Sequence, residues 1–308
     1  MMVRAEQLLA ALMLEAAAGY PAWLFATIGH PVSWIGAVIA RQDTGWNAGS
    51  AGHRRAMGML LLAAITALAS GAGWVITHVA GDGWGLAGLV LVATTGLAQR
   101  SLHDHVAAVA RPLIAGDLPA ARGAVAAIVG RDTAALDEQG VATAAIESLA
   151  ESLCDGVVAP AFWFLVAGLP GLLACKAINT ADSMVGHRDA RHRDFGWAAA
   201  RADDLVMLVP ARISGLLVAI AGGGGLAVMW RDAGKHASPN GGWPEAAMAG
   251  ALRRRLGGPV FYAGEAASRA SLGDGPAPDA GDVGRALAVY RRACLLMWLI
   301  IGGVAWLR

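Results

Sequence analysis

The chain is poor in charge. Of its 308 residues only 15% are Asp, Glu, Lys or Arg, against about 25% in soluble domains. Twenty-four basic residues nearly cancel 23 acidic ones, for a net charge of +1. No long-range field exists to recruit nucleic acid or an acidic partner, so any electrostatics are local. Cysteine is equally scarce. Cys154, Cys175 and Cys294 are far apart and form no C-x-x-C pair, which argues against a disulfide framework or a zinc site and leaves three buried thiols. Signatures of common soluble chemistries are missing as well. There is no G-x-x-x-x-G-K-[ST] run to cradle a nucleotide, no G-x-S-x-G elbow to expose a serine, and no H-E-x-x-H pair; His30, His187 and His192 have no metal spacing.

What is abundant is apolar sequence: 56% of residues are hydrophobic and the mean hydropathy is +0.51. About 20 helical residues cover a bilayer's hydrocarbon core, and on that measure spans are expected at 7–28, 57–79, 84–99, 205–230 and 293–307. The N-terminus has no convincing cleavage site and reads as a retained first span. Glu15 inside it either pairs within the bundle or serves a site. Pro31 disfavours helix at His30 and so places His30 at the membrane edge. Arg41, His53, Arg54 and Arg55 make the loop 31–56 basic and hence cytoplasmic, whereas Gly81-Asp82-Gly83 carries no basic residue, as an outer turn should. Segments 100–156, 176–204 and 231–290 are polar. The expected fold is all-α: one membrane-embedded domain, a polytopic integral membrane helical bundle carrying cytoplasmic amphipathic helices.

Residues 157–175 pass for a span by hydropathy, yet Gly168-Leu169-Pro170-Gly171 at the middle is a turn sequence that leaves about ten residues on either side, too few to cross alone. A re-entrant hairpin is favoured over one kinked span. Irregular backbone at depth is tolerated only where protein covers it.

Three polar groups lie near this segment. Glu147, Glu151 and Asp155 are four apart, so a helix would align them as one ridge, either a solvated face or a hard-cation site completed by substrate phosphate. Lys176, Asn179, Thr180 and Asp182 form the second group, and Asp203, Asp204 and Arg212 the third. Lys176 and Arg212, set in apolar sequence, suit phosphate or carboxylate; Arg188, Arg191 and Arg193 read as a positive-inside anchor. From these residues alone, an enzyme and a transporter or ion-binding membrane protein using intramembrane carboxylates both stand.

Several runs carry a resemblance: VGRDT at 129–133, ESLAESLCDGVVAP at 147–160, KAINTADSMVG at 176–186, FGWAAARADD at 195–204, Pro210-Ala211-Arg212, SPNGGWPEAAMAGAL at 238–252, and the early His30-Pro31-Val32. Together they resemble the CobD/CbiB family, adenosylcobinamide-phosphate synthase of cobalamin biosynthesis, over essentially the whole chain. The resemblance implies a multi-pass protein of the bacterial inner membrane with a cytoplasmic site, working in contact with lipid, as a homo-oligomer or beside other late pathway enzymes. It implies ATP- and Mg²⁺-dependent amide formation between adenosylcobyric acid and (R)-1-aminopropan-2-ol or its O-phosphate, without nucleic acid. It also nominates residues. Glu147, Glu151, Asp155 and Asp204 would hold metal; Lys176, Asp182, Asp203 and Arg212 would be catalytic; His30, Arg131, Asn179, Thr180, Asn240 and Glu245 would bind substrate. Two departures stand out, because Ser152 and Met207 occupy places where the family commonly has Asn.

Overall fold

The computed structural model of the chain describes residues 2–81, 83–262 and 265–307; Asp82 of the expected outer turn lies outside them. The helices come in this order: α1 (Met2–Ala18), α2 (Ala22–Ile28), α3 (Pro31–Trp46), α4 (Ala51–Ala80), α5 (Trp84–Thr94), α6 (Gln99–Ile114) and α7 (Leu118–Ala126). Next are α8 (Glu138–Leu153), a π-helical turn at Cys154–Val158, α9 (Ala159–Val185), α10 (Trp197–Val206), α11 (Leu208–Ala221), α12 (Leu226–Asp232) and α13 (Gly242–Leu252). A short antiparallel hairpin, β1 (Pro259–Tyr262) and β2 (Glu265–Ser268), precedes α14 (Ala280–Trp306). Four helical stretches are long and apolar enough to cross a membrane: Ala22–Trp46, Ala51–Ala80, Glu138–Val185 and Ala280–Trp306. There are five if α10 and α11 form one broken span. The all-α polytopic expectation therefore holds, the hairpin and an isolated bridge between Leu256 and Leu272 being the β features among the described residues.

The chain divides into two compact units. The first comprises residues 1–98, 159–207 and 301–308. Its core joins Ile39 of α3, Leu61, Ile65 and Ala69 of α4, and Ala177, Ala181 and Val185 of α9, with Phe195 and Ala199 closing one end. Two ion-pair groups tie the basic loop after α9 to this core: Asp43 to Arg191 at 2.6 Å, and buried Asp194 to Arg54 at 2.8 Å and Arg55 at 3.2 Å.

Several expected boundaries move. The segment 7–28 is two helices, because Pro21 disfavours helix in the residue before it and then starts α2. The expected loop 31–56 is mostly α3. Pro31 ends one helix but sits at the first position of the next, and His30 caps it, its Nδ1 accepting from Val32 N at 3.2 Å. The expected span 84–99 is helical only to Thr94. Eleven residues rise about 16 Å, and the Thr94 and Thr95 hydroxyls bond back to Leu91 O and Val92 O, at 2.7 and 2.8 Å, where the helix ends.

Within α9 the chain turns back on itself. Gly168 has φ 71°, ψ −158°, a conformation essentially reserved for glycine. A Cβ on Gly171 would stand 2.4 Å from Trp163 O. A continuous helix would hold residues eight apart at about 12 Å. The chain therefore bends sharply at Gly168, and helix resumes to Val185, beyond the expected limit of 175.

The second unit comprises residues 99–158 and 208–300. In it α6 packs on α7 and α8, and α13 packs on α8, α11 and α12. The α14 helix is tied to the start of α6 through Gln99, whose carbonyl accepts from Tyr290 Oη and whose side-chain oxygen accepts from Trp298 Nε1, both at 2.8 Å. The expected span 205–230 breaks at the Gly222–Gly225 run, ending α11 at Ala221. The tract at 273–282 is pinned: buried Asp232 accepts from Gly273 N, and buried Asp282 from Arg254 and Arg285. The Arg231 hydrogen bond, joined by Lys235, holds the Asp232 carboxyl well below the usual carboxylate range.

Candidate functional site

In the second unit, α8 supplies Glu147 and Glu151 one turn apart. They differ sharply in surroundings. Glu147 is buried, and both its oxygens are taken: Oε2 accepts from Arg131 Nη2 at 3.1 Å and Arg269 Nη1 at 3.2 Å, and Oε1 from Gly257 N at 2.7 Å. Glu151 is exposed, and its charged neighbours are Glu245, Asp155, His236 and Arg269. Asp155 falls in the π-helical turn, so the three acids are not the regular ridge that α-helical spacing predicts.

The run 238–245 lies beside Glu151, whose Oε1 would stand 3.6 Å from a Cβ on Gly241. Ser238 Oγ accepts from Asn240 N and Gly241 N, folding the loop back before α13 begins. Glu245, in the first turn of α13, is fully buried. Its Oε1 lies 3.4 Å from both Arg269 Nη2 and His236 Nε2, while Oε2 is buried without a hydrogen-bond partner. Arg269 Nη2 is also 2.9 Å from His236 Nε2. That nitrogen accepts from Arg269 when the ring is neutral and donates to Glu245 when the ring is charged. Burial works against the charged imidazole, but the hydrogen bond and charge of Glu245 outweigh it, so His236 titrates above its ordinary value. Arg212 of α11 donates to Asn240 Oδ1 at 2.7 Å and to Leu208 O at 2.8 Å, and its guanidinium lies 4.5 Å from the centre of the Trp243 ring.

The first unit holds a separate group. Lys176, Asn179, Thr180 and Asp182 lie on α9, and Asn179 Nδ2 reaches Asp203 Oδ1 of α10 at 3.4 Å. Thr180 Oγ1 donates to Lys176 O at 2.6 Å and Arg201 lies 3.5 Å from Asp204. Lys176 is close enough for its charge to act on His30, whose ring meets Tyr20 edge-on at 4.5 Å.

The sequence singled out members of both groups. Glu147, expected to hold metal, accepts from two guanidinium groups and a backbone N–H. Arg131, expected to bind substrate, has a nearly closed-off side chain and pairs with Glu147. Among the described residues no three His, Cys, Asp or Glu side chains converge to hold a metal ion. His236 and Arg269 were missed. His236 directly precedes the loop that carries Asn240, which was a usable signal; Arg269 stands in a polar stretch with no periodicity to single it out.

The profile of the family described as CobD/Cbib protein matches residues 8–290. A cobalamin biosynthesis protein CobD of Rhodobacter capsulatus is 52% identical over 311 residues, covering 98% of this chain and 97% of its own. Proteins of the same name from Sinorhizobium fredii, 46% identical over 93% of this chain and 92% of their own, and Rhizobium meliloti, 44% identical over 97% and 96%, are also similar. No solved structure matches.

Proposed function

The chain belongs to the CobD/CbiB family of cobalamin biosynthesis, and we propose that within it the protein is an ATP-dependent amide ligase. It would join the free propionate of adenosylcobyric acid to (R)-1-aminopropan-2-ol or its O-phosphate, at the cytoplasmic side of a bacterial inner membrane. The observation that carries this reading is the accessible Glu151 set among Glu245, His236 and Arg269, a site that offers both signs of charge to a carboxylate, a phosphate and an amine.

A carboxylate is a poor acyl donor. Its oxygen would attack the γ-phosphorus of ATP, releasing ADP and leaving an acyl phosphate; the amine nitrogen would then displace phosphate and lose a proton. Arg212 would neutralise charge on the transferred phosphoryl group; Lys176, Asp182 and Asp203, in the group of the first unit, remain proposed catalytic residues. Mg²⁺ neutralises nucleotide phosphates when bound and would enter with ATP. His30, Asn179, Thr180 and Asn240 remain proposed substrate contacts.

The test is a product assay by mass. Purified full-length protein, given cobyric acid, the amine and Mg²⁺, should form the amide with ATP and not without it. If no ATP-dependent product forms while vesicles bearing the protein accumulate a substrate or ion, the transport reading replaces this one.

A further inference from the structure

Four acids, Glu147, Glu151, Asp155 and Glu245, share one cluster with two arginines, Arg131 and Arg269, and a histidine that carries at most one further charge. Glu147 is closed to a ligand, having three donors. Two members are open: Glu151, which is accessible, and Glu245, whose Oε2 is buried and unpartnered although the residue is fully enclosed. A buried carboxylate oxygen without a donor is costly, and a cation that supplies N–H groups removes that cost.

We propose that Glu151 and the unpartnered oxygen of Glu245 form the binding subsite for the ammonium group of the amine substrate, and that this part of the cluster is not a metal cage. Mg²⁺ demands near-octahedral oxygen coordination, and no three candidate side chains converge here among the described residues. An ammonium ion needs less: three donors that can be met singly by acceptors on different elements. Glu151 on α8 and Glu245 on α13 are close enough for their charges to act on one another. Arg269 and His236 hold Glu245 by its other oxygen, which leaves Oε2 to the ligand. The inference rests on the reading that the protein consumes an amine, and it names the residues that receive it.

The experiment uses the full-length protein in detergent with EDTA and without ATP. Its probe is 1-aminopropan-2-ol, with the isosteric neutral propane-1,2-diol as comparison, and the readout is the thermal unfolding midpoint. The amine should raise the midpoint of the wild type and of Glu138→Gln, an exposed control on the same helix, and the diol should not. Glu151→Gln and Glu245→Gln should lose that rise. In the ligation assay Glu151→Gln should raise KM for the amine about tenfold, the loss of one charge-assisted hydrogen bond, with KM for ATP unchanged. Equal stabilisation by the diol, or an undiminished rise in Glu151→Gln, would overturn the subsite. So would a Glu151→Gln defect that excess Mg²⁺ repairs, since that marks a metal ligand. Because Glu245→Gln disturbs a buried pair, Glu151→Gln decides the matter if Glu245→Gln does not fold. A midpoint rise without any ligation product would retain the ammonium subsite and reject the ligase.

Discussion

Arg131 and Glu147 pair at 3.1 Å with side chains only 8% and 5% exposed. Removing one member of such a buried pair strands the other, at about 3–5 kcal/mol. The two deletions should be unequal. Arg131→Met leaves Glu147 with Arg269 and Gly257 N, whereas Glu147→Gln removes the carboxylate that Arg131 and Arg269 share, Arg269 keeping Glu245. Thermal unfolding in detergent should rank Glu147→Gln below Arg131→Met, and the double variant should lose less than the sum. Strict additivity would mean the pair is not energetically coupled.

Gly168 is the second target. Its φ of 71° with ψ near −158° excludes a side chain without strain. Gly168→Ala should destabilise by about 1–3 kcal/mol. The neighbouring exposed Ala167→Ser is the control and should stay within about 0.5 kcal/mol of wild type. Equal midpoints for the two variants would show that helix α9 does not depend on the reversal.

The His236 and Glu245 contact sets a pH dependence. Its imidazole titrates above the ordinary 6.5, so it gains a proton more readily in the fold than in the unfolded chain. The stability it contributes is complete below about pH 6.5 and is lost as pH rises through the folded value. His236→Gln should therefore cost most at acidic pH, the gap to wild type narrowing in alkaline buffer. A gap that widens with pH would reverse the assignment of the charged partner.

Arg212 offers a test of shape against charge. It combines a hydrogen bond to Asn240 with a place over the Trp243 ring. Arg212→Lys keeps the charge and loses the planar fork, so a loss of about 1–2 kcal/mol is expected. Changed tryptophan emission should accompany it, and unchanged emission and stability would mean that charge alone matters.

Much of this was visible in the chain itself. The turn chemistry of Gly168 to Gly171 announced the reversal because glycine and proline act locally. The acids of α8 stood out because their neighbours are apolar. What was hidden depended on partners far away in sequence. Nothing near Glu147 tells that its two oxygens are claimed by residues 110 and 122 positions later. Helix α3 was hidden for a different reason: Pro31 punctuates equally as a stop and as a start, and only the cap on Val32 N decides between them.

The reach of Glu147 toward Gly257 and Arg269 also has a meaning in time. A ribosome working at about 5–20 residues per second needs on the order of ten seconds to make the intervening chain. Through that interval helix α8 exists without two of the donors that neutralise its buried acid. Until nearly nine-tenths of the chain has emerged, Arg131 is the one of its three donors that the nascent protein already holds. Truncations ending shortly before Arg269 should accordingly be the ones that cellular quality control removes fastest.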